Sequence, residues 1–395
     1  MGGVMLPPAA WRDRAGLARV VEALGPGTTR IVGGAVRDTL LGIDTADVDL
    51  ATTHAPEVVV DLLEAARIKA VPTGIKHGTI TAVANDEVYE VTTLRRDLDT
   101  DGRHATVAFT DDWREDAARR DFTINALYAD PISGEVIDYF DGIADLEARR
   151  VRFIGDPLTR IAEDHLRILR FFRFLARFGD SPDPEGLKAC TERANDLMAL
   201  SRERIANELL RLLVAPRAPE VVALMLDRGI FAPVLPEIAG ASRLAALANR
   251  EEAAGIEPDP IRRLAAILPS DPTVAADVAA RLKLSKLQRR RLESAMGPPD
   301  GDPRALAYRL GMELAIDRLL LAGDSLHQLT NWTPPALSLS GGQLVAKGLT
   351  AGPDVARTLR RVEDRWVAEG FPDMGRVDAI ADDEVAQVLA DIRKS

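Results

Sequence analysis

The stretch Ile31–Ala51, IVGGAVRDTLLGIDTADVDLA, decides how this chain is read. It holds a double glycine, Gly33 and Gly34, then Arg37, then two aspartates, Asp47 and Asp49, one residue apart. Glycine lets a backbone approach a phosphate closely. The N–H groups of such a turn, followed by a helix N-terminus, suit an anion. Alternation along a strand puts Asp47 and Asp49 on one face and Val48 on the other. Two carboxylates so close repel each other unless a cation lies between them, and an oxygen-only pair suits Mg²⁺. A triphosphate site beside such a pair is the minimum apparatus for two-metal nucleotidyl transfer. Arg37 can bind two phosphate oxygens with its planar fork, or pair with Asp38 or Asp44.

Working outward, the preceding Thr29–Val32 reads as a strand and Ala35–Leu41 as the helix that follows the glycines. Asp47–Ala51 reads as the next strand. Pro56 opens a helix over Glu57–Arg67. Thr79–Ala84 and Val88–Leu94 flank Asn85-Asp86, a hairpin turn. The polar, glycine-containing stretch Arg95–Thr110 reads as a mobile loop, and Val136–Tyr139 as a last short strand. After Pro157 the pattern is helical almost to the end. Pro157–Phe178 reads as one long helix and Ser201–Leu213 as another, with Ser201 as its N-cap. Proline-rich breaks punctuate the remainder.

Composition bounds the function. The chain has 395 residues, enough for about two to four structural units. Its net charge of -11 excludes a general polyanion binder, so nucleic-acid contact must use local basic patches. The single cysteine, Cys190, rules out an intramolecular disulfide and points to a reducing cytoplasm. No signal peptide and no membrane span are expected. The five histidines are scattered, never in a His-Asp pair, and no metal-dependent phosphohydrolase activity is expected.

Two further clusters carry chemistry. In Arg119–Leu127, RRDFTINAL, Arg120 suits a triphosphate and Asn125 a ribose hydroxyl. Asp121 suits either the carboxylate set or the orientation of an arginine. The same segment also reads as a plain amphipathic helix. In Glu163–Phe174, EDHLRILRFFRF, helical spacing of about 100° per residue puts Arg167, Arg170, Arg173 and Arg177 within a stripe roughly 120° wide. Asp164 lies one turn before Arg167. Four arginines on one stripe repel unless a polyanion or other carboxylates lie across from them.

Five ordered motifs, GGAVRD with D-x-D, RRDFTINAL, Asp141-Gly-x-x-Asp145-Leu, E-D-x-x-R and S-R-E-R-I-x-x-E-L, resemble those of the class II, bacterial-type CCA-adding tRNA nucleotidyltransferases and the related poly(A) polymerases. The match spans Ile31 to Leu213, and Leu337–Trp366 resembles the C-terminal helical element of longer members. The resemblance implies an α+β fold, with an N-terminal DNA polymerase beta-like nucleotidyltransferase head followed by an all-α neck, body and tail. The expected divisions are 1–150, 151–215, 216–330 and 331–395. It implies that Asp47 and Asp49 hold Mg²⁺, and that Gly34 and Arg37, with Gly33, contact the nucleotide. Arg120 and Asp121 would sit in the head site. Asp164 and Arg167 would read the base, with Arg170 and Arg173 nearby on phosphate or RNA.

That base-reading role is chemically coherent. Asp164 only accepts and Arg167 only donates. Cytosine and adenine each offer an amino donor to the Asp and a ring-nitrogen acceptor to the Arg. Uracil and guanine present the reverse pattern and leave buried groups unpaired. The expected function is template-independent addition of CCA to tRNA from CTP and ATP. The alternatives are a poly(A) polymerase, a CC-only or A-only enzyme, and a non-catalytic RNA-binding protein on the same scaffold. The resemblance further implies that the loop after Leu94, with Arg95, Asp101 and Arg103, takes part in the switch from C to A, so terminal A addition is expected. The basic run Lys283, Lys286, Arg289, Arg290 and Arg291 is expected on the tRNA backbone, with a solvated helix face as its plain alternative.

Overall fold

The computed structural model describes residues 3–100, 105–238 and 240–394. Asp101 and Arg103 lie outside the described residues. The chain divides into two compact units, Met1–Ile238 and Ala239–Ser395.

The first unit is built on a seven-stranded sheet. Its strands are β1 (Thr29–Val32), β2 (Asp49–Thr52), β3 (Lys69–Gly74), β4 (Thr79–Ala84), β5 (Glu87–Thr93), β8 (Leu127–Ala129) and β9 (Val136–Asp138). The order across it is β3-β4-β5-β2-β1-β8-β9, with only β2 and β5 parallel. Between β5 and β8 the chain makes a separate two-stranded antiparallel ribbon of β6 (Arg95–Thr100) and β7 (Ala105–Phe109). The stretch read as a loop is therefore paired backbone on both of its described sides. Its polar, glycine-containing composition hid this pairing.

The β4–β5 hairpin follows from its turn. Asn85 and Asp86 take φ values of 54° and 62°, as a two-residue turn matched to strand twist requires. Alternate residues of β4 are buried. The head's helices are α1 (Ala15–Leu24), α2 (Gly34–Leu40), α3 (Pro56–Ala65), α4 (Trp113–Ala118) and α5 (Gly142–Glu147). The helical reading of Arg119–Leu127 is replaced by a 3-10 turn, Thr123–Asn125, running into β8.

The expected neck follows within the same unit as α6 (Pro157–Glu163), α7 (Arg167–Phe178), α8 (Pro184–Glu192), α9 (Arg202–Leu213) and α10 (Ala218–Asp227). The single long helix read over Pro157–Phe178 is broken in two. Asp164 adopts extended backbone (φ −151°, ψ 105°) and its Oδ1 accepts from the Leu166 N–H at 3.1 Å. A residue whose side chain competes for backbone N–H groups ends one helix and opens the next. The buried side of α7 places Phe171 and Phe174 against Phe122, with Phe153 stacked on Phe171 at 5.6 Å. Ser201 caps α9 as expected, accepting from the Arg204 N–H.

Among its described residues, the second unit has helices joined by irregular chain and no strand. It comprises α11 (Ser242–Ala254), α12 (Pro260–Ile267), α13 (Pro272–Arg281), α14 (Lys286–Ala295), α15 (Pro303–Leu310), α16 (Met312–Ala322), α17 (Gly341–Ala346), α18 (Pro353–Ala368) and α19 (Met374–Lys394). Most of the proline breaks seen in the sequence are helix starts, the exception being Thr333–Pro335, which lies in irregular chain before α17. Asp259-Pro260, Asp271-Pro272 and Asp302-Pro303 each place an aspartate that accepts backbone N–H bonds ahead of a proline in the first turn. No helix among the described residues is long and apolar enough to cross a membrane.

Candidate active site

One cavity in the first unit, of about 570 Å³, gathers most of the residues singled out above. Eight arginines and three aspartates line it, with Gly33, Gly34 and Asn125. A cavity so basic within a chain of net charge -11 has the electrostatics of a polyphosphate site.

At one side stands Asp49, the first residue of β2. Asp47 precedes the strand instead of lying in it, yet Asp47 and Asp49 alternate with the buried Val48 and Leu50, so the two carboxylates share a face. On β5, Glu90 is the register partner of Asp49. Burial raises the Asp49 pKa, Glu90 and Asp47 raise it further, and Arg120 opposes them. Among the described residues no three His, Cys, Asp or Glu are grouped closely enough to hold an ion alone. Mg²⁺ is commonly held by one or two carboxylates together with substrate phosphates. A hard-oxygen pair under mutual repulsion beside a phosphate-sized basic cavity fits that pattern.

The glycine turn abuts this face. Gly33 sits at φ 68°, a conformation that favours glycine, and a Cβ there would stand 3.5 Å from Arg120 Nη1. The remaining nitrogens of Arg120 are held: Nε donates to the Tyr128 hydroxyl at 3.3 Å and Nη2 to Asp116 at 3.1 Å. Burial disfavours the Arg120 charge, but Tyr128 and Asp116 outweigh it and raise the pKa, so Arg120 stays cationic.

Arg37 lines the cavity but is committed inward. It pairs with Asp38 at 2.7 Å, donates to Asn125 Oδ1, and lies 4.3 Å over the Phe178 ring. Burial lowers its pKa against the pull of Asp38. Asn125, read as suiting a ribose hydroxyl, also lines the cavity and already makes two side-chain bonds. Its Oδ1 is taken by Arg37, and its Nδ2 donates to Asp121 at 2.9 Å. Asp121 accepts from the Phe122 N–H and from Arg170, whose Nη2 lies 2.5 Å away. The contact with Arg170 fits the reading in which it orients an arginine. Burial would raise the Asp121 pKa, but Arg170 and Asn125 bring it below the usual carboxylate range.

Across the cavity runs the arginine stripe of α7. Carboxylates do face it: Glu163 for Arg167, Asp121 for Arg170, and Glu208 on α9 for Arg173, at 2.5 Å. Arg167 also donates to the Arg160 and Arg119 carbonyls, each at 2.9 Å. Asp164 pairs with Arg204 at 2.7 Å. Asp164 and Arg167 thus stand in one cavity, each with its own partner.

Sequence reading passed over Asp116, which is 1 % exposed and organises Arg119, Arg120 and Tyr128. The helical period of Trp113–Ala118 was the available signal, since it turns an acid inward just before RRD. Arg95, Arg119 and Arg204 were not assigned to the site either, and all three line it.

The basic run lies in the second unit. Lys286, Arg289 and Arg290 are exposed on α14, and Arg289 pairs with Glu293. Lys283 is exposed just before the helix. Arg291 departs from the expectation. It points inward to Asp317 at 2.7 Å, Asp259 at 3.0 Å and Glu313 at 2.6 Å, a network shared with buried Arg262. What turns Arg291 inward is the set of carboxylates on the neighbouring elements, which its two neighbours in sequence do not face.

Comparison with known proteins agrees with this geometry. Residues 29–152 match the Poly A polymerase head domain model, and residues 181–241 match the model described as "Probable RNA and SrmB- binding site of polymerase A". The human protein named CCA tRNA nucleotidyltransferase 1, mitochondrial, is 35% identical over 369 residues, covering 87% of this chain and 83% of its own. The CCA-adding enzyme of Levilactobacillus brevis is 42% identical over 202 residues, 51% of this chain and 50% of its own. Among solved structures, the Bacillus stearothermophilus CCA-adding enzyme in complex with CTP is 27% identical and covers 90% of this chain and 92% of its own, with a TM-score of 0.66. The Thermotoga maritima CCA-adding enzyme complexed with tRNA shares the fold at 20% identity, covering 94% of each chain with a TM-score of 0.69. With a relative matched along most of both chains and a cavity that joins a carboxylate face to an arginine helix, the chain belongs to the CCA tRNA nucleotidyltransferase family.

Proposed function

We propose that this chain adds C, C and A to the 3′ end of tRNA from CTP and ATP, without a nucleic-acid template, and releases pyrophosphate. One observation carries the reading: Asp49 and the Asp164/Arg167 pair line one cavity large enough for a single nucleotide. The triphosphate lies along the Gly33 turn against Arg120. The base reaches α7, where Asp164 accepts from the amino group of cytosine or adenine and Arg167 donates to the ring nitrogen. To do so Arg167 exchanges part of its contact with Glu163, while Arg204 keeps Asp164 oriented.

Asp47 and Asp49 are the residues proposed to hold Mg²⁺, with Glu90 adjacent. When bound there, the metal supplies charge neutralisation on the triphosphate and a more acidic attacking hydroxyl. The protein's own part is alignment of the RNA 3′-hydroxyl with the α-phosphorus, which supplies much of the rate. Asp121 and Arg37 act behind the reacting groups, holding Arg170 and Asn125. In this reading residues 1–150 are the head, 151–215 the neck, 216–330 the body and 331–395 the tail. Exposed Lys283, Lys286, Arg289 and Arg290 meet the tRNA backbone. The lone, buried Cys190 suits a reducing compartment, which we take to be the cytoplasm.

The test is extension of three RNAs with Mg²⁺ and one labelled nucleotide at a time: tRNA ending at the discriminator base, tRNA ending in CC, and an unstructured RNA. Two C then one A on tRNA, stopping there, is the expected result. Long A tails on every RNA identify a poly(A) polymerase, and C alone or A alone a split activity. No incorporation by folded protein leaves an RNA-binding protein.

A further inference from the structure

α4 is short, yet two adjacent acids on it hold both sides of the β6–β7 ribbon and the arginines of the cavity. Glu115 accepts the hydroxyl of Thr110, just after β7, at 2.7 Å, and lies 3.8 Å from Arg96 on β6. Asp116 accepts from the backbone N–H of Arg95, the first residue of β6, at 3.2 Å. The same oxygen takes Arg119 at 2.7 Å. Its other oxygen takes the Tyr128 hydroxyl at 2.6 Å and Arg120 at 3.1 Å. Arg119 extends the chain, since its carbonyl accepts from Arg167 at 2.9 Å.

A carboxylate offers about four lone-pair directions, and here five donor groups from four residues crowd them, Arg119 giving both Nε and Nη2. A saturated, buried acceptor cannot release one donor without disturbing the others. Displacement at the ribbon base is therefore passed to Arg120 on the triphosphate side and, through the Arg119 backbone, to Arg167 on the base side.

We propose that Asp116 is a positioning residue for the change from CTP to ATP, coupling the base of the β6–β7 ribbon to Arg120 and Arg167. This rests on the CCA-adding reading above. Asp116 touches neither reacting group, so the test must separate positioning from simple support of the fold.

Asp116→Asn keeps the shape but turns one acceptor into a donor, and either orientation sets an amide against at least two of the five donors. The measurements are kcat and KM for CTP on tRNA lacking CCA and for ATP on tRNA ending in CC. The loosened Arg120 should raise KM for both nucleotides by about three- to tenfold. The loosened ribbon should lower kcat for A addition by at least about tenfold, while kcat for C addition changes less than about threefold. Equal losses of kcat on the two steps, or unchanged A addition, overturn the proposal. Glu115→Ala, on the more exposed acid, gives a second reading should Asp116→Asn not fold. It should lower A addition relative to C addition, and a wild-type ratio of the two steps overturns the coupling. Wild-type protein that adds neither nucleotide overturns the functional reading and the coupling together.

Discussion

Asp49 shows what a single residue position costs and what it supplies. Its pKa is raised by burial, then by Glu90 and Asp47, so the folded protein takes up a proton there more readily than the unfolded chain does. At neutral pH the ionised group therefore works against folding until a cation arrives. Asp49→Asn should raise the melting temperature of the metal-free protein, remove the stabilisation by Mg²⁺, and lower turnover by at least about a thousandfold. Thermal melts with and without Mg²⁺ check this; a lower melt, or wild-type stabilisation by Mg²⁺, speaks against the metal assignment. Asp116 behaves in the opposite sense. Burial would raise its pKa, but Arg120, Arg119 and Tyr128 bring it down from 3.8 to about 2. Its contribution to stability is complete above its unfolded pKa and is lost as pH falls through the folded value. The stability difference between wild type and Asp116→Asn should be constant above about pH 5 and shrink between about pH 4 and 2, as read by denaturant unfolding.

The elements with most consequence for function are those whose ends are set by side chains. The break between α6 and α7 at Asp164 turns a helix interior into a helix entrance, so that Asp164 and Arg167 line the cavity together. The β6–β7 ribbon leaves the sheet at Leu94, where the Thr110 N–H also returns to the Leu94 carbonyl. Deleting Asp97–Arg103 should abolish A addition and spare CC addition, measured on the two tRNA substrates; equal loss of both removes the ribbon from the switch. Hairpin β4–β5, the cap at Ser201 and the strand at Thr29–Val32 were legible because each is specified within a few residues. The ribbon was not, since its polar, glycine-containing stretch reads as loop, and the inward turn of Arg291 was not, since residues distant in sequence supply its carboxylates.

Over the whole molecule, basic groups gather at two places on this acidic protein: the cavity of the first unit and the exposed face of α14 in the second. Charge reversal of Lys286, Arg289 and Arg290 should weaken tRNA binding across sequences and reduce the salt slope by about one unit for each phosphate that is no longer neutralised. Unchanged affinity and slope would make the face plain solvated surface. Arg291→Ala should behave differently. It strips Asp317, which is fully buried, of one of its two arginine partners, and should destabilise the second unit by about 3 kcal/mol in denaturant unfolding. A purely RNA-binding role for Arg291 would leave stability unchanged.

What the sequence by itself determined here is the set of chemical parts and their local frames: the glycine turn, the same-face aspartates, the arginine stripe, the caps and the hairpin. These are fixed by backbone preference and by periodicities of two or 3.6 residues, which act over short spans. Only the tertiary structure decided which parts remain available to a nucleotide. Arg170 meets Asp121 across 49 residues, Asp164 meets Arg204 across 40, and Arg173 meets Glu208 across 35. An ion pair is made by proximity in space, so the partners of a buried charge are chosen by packing and not by sequence spacing.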